Sequence, residues 1–160
     1  MATLPQLVEE DIQRLDEVLR EFVASADARV ALIIDKGGFL IAHQGEAQGL
    51  DLTSIAALSS GAYLASQTIA GLVDEVHFDS IYQQGENHSL FVVNIDENCM
   101  LVVIFKSQTG VGLVKYFAAA AVQGIASQLQ VARKRAPGLG LDLSVLNVAE
   151  PSRFFRKRES

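Results

Sequence analysis

Residues 52–73 read LTSIAALSSGAYLASQTIAGLV, a helix-length run without a single Asp, Glu, Lys or Arg. Asp51 opens it and Asp74-Glu75 closes it, and small residues such as Ala56, Ala57, Ser60, Gly61, Ala65 and Gly71 crowd its interior. A surface helix of a soluble domain turns one face to the core and leaves the other polar, usually charged. A helix without charge on any face is expected to be buried on two sides, one of them by another molecule. The run is therefore an interface candidate.

Flanking elements supply a sheet. Val30-Ala31-Leu32-Ile33-Ile34 suits a central strand, Asp35-Lys36-Gly37-Gly38 turns the chain, and Phe39 to His43 returns as the second arm of a hairpin. After the uncharged helix, Ser80 to Gln83 is short and polar, as at a sheet edge. Ser89 to Ile95 and Met100 to Lys106 are long, apolar and β-branched, joined by Asp96-Glu97-Asn98. A first helix carries Val8, Ile12, Leu15, Leu19 and Phe22 at intervals of four and three, with Thr3 as its expected cap, Pro5 in its first turn and Gln6 completing a capping box. A last helix, about Leu113 to Arg135, puts Phe117, Ala121, Ile125 and Leu129 on one face and ends on basic residues that suit its dipole. Pro137-Gly138 breaks it.

The order α-β-β-α-β-β-β-α predicts an α+β domain: a five-stranded antiparallel sheet with the terminal helices on one face and the central helix on the other. In the central helix, Ile55, Leu58, Ala62, Ala65, Ile69 and Leu72 are the expected core-facing stripe. The opposite stripe is Ala57, Gly61, Leu64, Thr68 and Gly71, still uncharged and small enough to admit another helix. The open edge strand is a template for a copy of itself, so a two-fold homodimer with a continuous sheet is expected. The domain is taken to span 1–136, with 137–160 as a partly amphipathic, basic tail.

Composition narrows the function classes. The chain has 160 residues, 49% of them hydrophobic, and a net charge of −6, which fits one soluble domain with a sizeable core. Its single cysteine, Cys99, allows no internal disulfide and fits a reducing, cytoplasmic setting. Residues 1–130 carry 16 acidic against 6 basic side chains, and residues 131–160 carry 3 against 7. The acidic body is a poor partner for nucleic acid, while the basic tail, with Phe154 and Phe155, is able to touch a membrane or an acidic protein surface. The first ten residues lack the basic start and apolar core of a signal peptide. The Ser and Thr content of the uncharged run argues against a transmembrane span.

Chemistry is sparse. Gly110-Val111-Gly112 lacks the third glycine of a dinucleotide loop, and no Gly-Lys-Ser/Thr triphosphate loop occurs. His43, His77 and His88 have no metal-ligand spacing. Cys99 at a strand start reads as a small hydrophobe, and Ser59-Ser60-Gly61 as packing. No catalytic residue, cofactor or metal is expected.

Several strings in this order resemble the roadblock family (the dynein light chain roadblock-type domain), in particular its MglB-like branch of bacterial gliding-motility and polarity regulators. They are Asp35-Lys36-x-Gly38-x-Leu40-Ile41, then Asp51-x-Thr53-Ser54-x-Ala56-x-Leu58-x-x-Gly61, then Leu101-Val102-Val103-Ile104-Phe105 followed by Gly112-Leu113-Val114. The resemblance covers roughly residues 5–135. It implies a homodimer whose paired central helices form a platform for a small Ras-like GTPase of the MglA type. It also implies stimulated GTP hydrolysis without an arginine finger, by repositioning the GTPase's own residues. The alternatives are a dimeric scaffold that leaves the nucleotide cycle untouched and a small-ligand sensor.

Overall fold

The computed structural model describes residues 4–135. Eight elements follow in the expected order: α1 (Glu9–Ala26), β1 (Ala28–Asp35), β2 (Leu40–Gly45), α2 (Leu52–Leu72), β3 (Ser80–Gln83), β4 (His88–Asn94), β5 (Cys99–Lys106) and α3 (Val111–Arg133). Thr3 and the expected tail, 137–160, lie outside the described residues.

The strands form one antiparallel sheet in the order β2-β1-β5-β4-β3. The inner strands β1 and β5 are continuous apolar runs because both of their faces are covered. One face, with Ala31, Ile33, Leu101, Val103 and Phe105, packs against Leu15, Leu19 and Phe22 of α1 and against Ala118, Ile125 and Leu129 of α3. The other, with Val30, Leu32, Ile34, Val102 and Ile104, packs against Ala56 and Tyr63 of α2. The four-residue β3 and the bulged β2 are the two edges.

Two sequence expectations are corrected. First, α1 begins at Glu9, not near Pro5. Its cap is the Asp11 carboxylate, whose Oδ2 accepts from the Val8 N–H at 2.8 Å. The capping box of this helix is closed by Asp11, an Asp at its third position. Second, the stripe expected to face the core from α2 does not. Ala56, Ser59, Ser60, Tyr63 and Ala70 are the buried residues, whereas Leu58, Ala65, Ile69 and Leu72 are exposed and Ile55 and Ala62 half-buried. Small residues let the helix axis sit close over the sheet, and Tyr63 fills the remaining space. The larger apolar side chains are left on a flank and on top.

Asp11 also locks the two terminal helices together. It is fully buried, and its two oxygens accept from Arg135 Nη1 at 2.6 Å, Arg135 Nη2 at 3.0 Å and Gln128 Nε2 at 2.7 Å. The basic end of α3 therefore pairs with a carboxylate of α1, and Arg133 pairs likewise with Asp96 at 3.0 Å. The Arg135 guanidinium holds the Asp11 carboxyl below the usual carboxylate range, overcoming the upward push of burial. A carboxyl depressed in the folded state stabilises the fold above its unfolded value, near 3.9, and that contribution is lost as pH falls through the folded value. Asp11→Asn should cost about 2 kcal/mol at pH 7, the scale of a charge-assisted hydrogen bond. In urea titrations the gap from wild type should close as pH drops below about 4. A gap that stays constant down to pH 2 contradicts the lock.

Candidate functional site

The uncharged helix is fixed at both ends and along one side. Asp51 caps it, its Oδ1 accepting from the Ser54 N–H at 3.1 Å and its Oδ2 from the Ser54 hydroxyl at 2.6 Å. The β1–β2 turn presses against its first half. Gly38 has φ +92, and a Cβ there would come within 3.0 Å of the Ala57 Cα. The Ser60 hydroxyl donates to the Lys36 carbonyl at 2.7 Å. Lys36 lays its ammonium 5.4 Å from the centre of the Tyr63 ring, and burial lowers its pKa from the ordinary lysine value. At the far end Gln67 donates to the Phe78 carbonyl and accepts from the Phe78 N–H, tying the helix to the segment before β3. Asp74 takes the left-handed conformation (φ 60) that ends the helix, and the Glu75 N–H reaches back to the Ala70 carbonyl at 2.8 Å.

What this seating leaves outside is the site. Ala57, Gly61, Leu64, Thr68 and Gly71 are all exposed. A Cβ added at Gly61 or Gly71 would meet nothing within 4 Å. Glycine within a helix costs about 1 kcal/mol relative to alanine, and nothing in the packing of the described residues requires it at either position. Beside this outer face runs the flank of Leu58, Ala62, Ala65 and Ile69, with Leu58 73% exposed and Leu72 at the helix end 80% exposed. The flank overhangs the β3 side of the sheet. Between them opens a groove of about 600 Å³ whose walls include Ile55, Leu58 and Ala62 from the helix and Gln83, Gln84 and Gly85 from the end of β3. Among the described residues an uncharged outer face, an apolar flank and an unpaired strand edge thus lie side by side.

The other candidates do not gather into a site. His77 pairs with Asp79 at 2.9 Å, His88 lies 3.4 Å from Arg29, and His43 is exposed on β2. Among the described residues no three metal-ligating side chains cluster, and no helix is long and apolar enough to cross a membrane. Cys99 is buried, and burial first of all pushes its thiol up to about 12, the opposite of a reactive cysteine. Gly110, with φ 83, serves as the turn residue from which α3 starts.

Sequence reasoning singled out the outer stripe but placed its neighbour in the core. The flank residues and the exposed Val73 and Val76 were missed as surface. One signal was available: Tyr63 is the sole aromatic residue of the run, and a helix turned to bury it carries Leu58 and Ile69 outward.

The chain matches the model of the Roadblock/LC7 domain over residues 14–105. Among solved structures it is similar to MglB of Myxococcus xanthus, at 30% identity over 74% of this chain and 96% of that one, with a TM-score of 0.70. It is also similar to the gliding protein MglB of Thermus thermophilus, at 30% identity over 82% and 100% of the two chains, with a TM-score of 0.75. A structure described as MglB with a tetrameric arrangement matches at 30% identity over 82% and 99%, with a TM-score of 0.76. No curated protein sequence matches.

The open geometry of the two helix glycines has a direct consequence. Gly61→Ala and Gly71→Ala should each leave the isolated fold intact and stabilise it by roughly 0.5–1 kcal/mol, the helix-propensity difference. Thermal denaturation at a concentration low enough to keep the chain monomeric checks this. A loss of stability there would mean that the outer face packs against something within the chain.

Proposed function

Because the chain belongs to the Roadblock/LC7 domain family, we propose that it is a homodimeric regulator of a small Ras-like GTPase of the MglA type and that it stimulates GTP hydrolysis. The observation that carries this reading is the exposed, uncharged outer face of α2 beside an apolar flank and an open strand. A lone subunit with such a surface would expose a contiguous apolar patch to water, which monomeric domains rarely do.

In the proposed dimer the two β3 edges pair about a two-fold axis and the sheet runs on from one copy to the other. The flanks, with Leu58 and Ile69, meet beside that axis. Ala57, Gly61, Leu64, Thr68 and Gly71 of both copies then form the platform on which the GTPase sits. This assigns the flank to the second copy and the outer stripe chiefly to the GTPase. The roadblock domain is read as residues 1–136, working in the cytoplasm.

The platform brings no Lys or Arg to the nucleotide, since α2 has neither. Stimulation must then come from ordering. A surface that binds the GTPase better with its switch segments in place raises the population of the hydrolytic state without touching the phosphate. No active site of its own is needed.

Gly61→Arg places a long cation at the centre of the platform while its Cβ meets open space. The variant should remain folded and lose at least a hundredfold in affinity for the GTP-loaded GTPase, as measured by titration calorimetry. In single-turnover hydrolysis, wild type should accelerate the GTPase and Gly61→Arg should not. Unchanged affinity in the variant would remove the platform from the account. Tight binding by wild type with an unchanged hydrolysis rate would make the protein a scaffold instead.

A further inference from the structure

The pairing of two β3 edges determines what lies beyond their ends. In an antiparallel pair, the residues after Gln83 of one copy run alongside the residues before Ser80 of the other. The first set forms a wall of the groove beneath α2; the second is the α2–β3 segment, Val73 to Asp79. Each feature has a character that the single chain leaves unused.

The groove is apolar within and basic at one end. His88 contributes to its wall, Arg29 Nη1 stands 3.4 Å from His88 Nε2, and Lys106 is the direct cross-strand partner of His88. Among the described residues no carboxylate makes an ion pair with Arg29, His88 or Lys106. Arg29 and Lys106 thus place two cations beside His88 in a body that is otherwise strongly acidic. The turn before His88 is pinned to the end of β5: the Ser107 hydroxyl donates to the Gly85 carbonyl at 2.6 Å and lies 2.8 Å from the Ser89 hydroxyl.

The α2–β3 segment is the complement. Asp74, Glu75 and Val76 are exposed, Val76 at 89%, and no cation pairs with either carboxylate among the described residues. The segment is also held in place, by the Glu75 N–H on Ala70 at one end and by Gln67 on Phe78 at the other.

We propose that the dimer is closed by two reciprocal clasps, in which the Asp74-Glu75-Val76 segment of each copy seats in the groove of the other. Val76 enters the apolar part and the two carboxylates face the Arg29, His88 and Lys106 end. The occupant of the groove is thus a second copy of this chain, selected by matching of both charge and shape. The proposal rests on the homodimer reading above and goes beyond it by making a polar, salt-sensitive contact part of self-recognition.

A charge swap tests it. One chain carries Asp74→Asn and Glu75→Lys, with Asn chosen because it tolerates the left-handed backbone at that position. The other carries Arg29→Glu and Lys106→Glu. Each homodimer then sets like charges against each other, and the mixed dimer restores both clasps. At about 50 mM salt each variant should form a homodimer at least tenfold weaker than wild type, on the scale of a few exposed ion pairs. In native mass spectrometry the mixture should form heterodimer at near wild-type affinity, and the difference should shrink at about 500 mM salt. Circular dichroism confirms that both variants are folded. Homodimers as tight as wild type, or weakened homodimers that mixing does not rescue, overturn the clasp while leaving the dimer itself standing. A wild-type chain that stays monomeric at high concentration overturns the homodimer reading beneath it.

Discussion

The structure turns on how α2 is seated. It meets the sheet through alanine, serine and one tyrosine, so the helix lies close to the strands and its larger aliphatic side chains are displaced outward. Burying a leucine is worth about 1.5–3 kcal/mol, and Leu58, Ile69 and Leu72 leave that stabilisation unused in a single chain. The same seating places the flank over β3, whose outer N–H and C=O groups have no partner strand among the described residues. Two unfinished surfaces, one apolar and one of backbone hydrogen-bonding groups, lie next to each other. A second copy satisfies both at once.

Much of this was legible from residue patterns. The strands were read to within a residue or two because β1 and β5 are unbroken apolar runs ended by turn residues, and because Gly38 and Asp51 mark a turn and a cap. The layer arrangement followed from the order of elements. Two features were not legible, for one shared reason: local pattern says nothing about what lies opposite. The start of α1 depends on Asp11, whose capping role is joined to its pairing with Arg135 at the far end of the described chain. The face of α2 depends on how closely a helix approaches the sheet, and periodicity assigns the largest apolar residues to the core by default. In this protein the default fails because Ala56, Ser59, Ser60 and Tyr63 take the sheet side of the helix and turn the larger aliphatic residues outward. The outer stripe is exposed, as its place opposite the expected core stripe implies, while its neighbour was hidden by the same rule that usually finds cores.

The distribution of charge gives the fold a second layer of meaning. Carboxylates dominate the body, yet most ion pairs that matter to the fold use the few cations near the end of α3, with Arg133 on Asp96 and Arg135 on Asp11. Other cationic groups cluster at one end of the groove. Among the described residues the perturbed groups serve packing: Asp11 as a lock, Lys36 as a lid on Tyr63, Cys99 as filler. In the proposed reading, function resides in which surfaces are left unfinished.

The claim beneath all of this is that the flank of α2 and the edge of β3 are hidden from water by a second copy. Hydrogen–deuterium exchange of the full chain across a dilution series reads that directly. The account predicts that the amides of β3 (Ser80–Gln83) are protected at high concentration and lose protection on dilution, while those of the inner strand β5 stay protected throughout. Amides of β3 that exchange at the rate of an open edge at every concentration would contradict it.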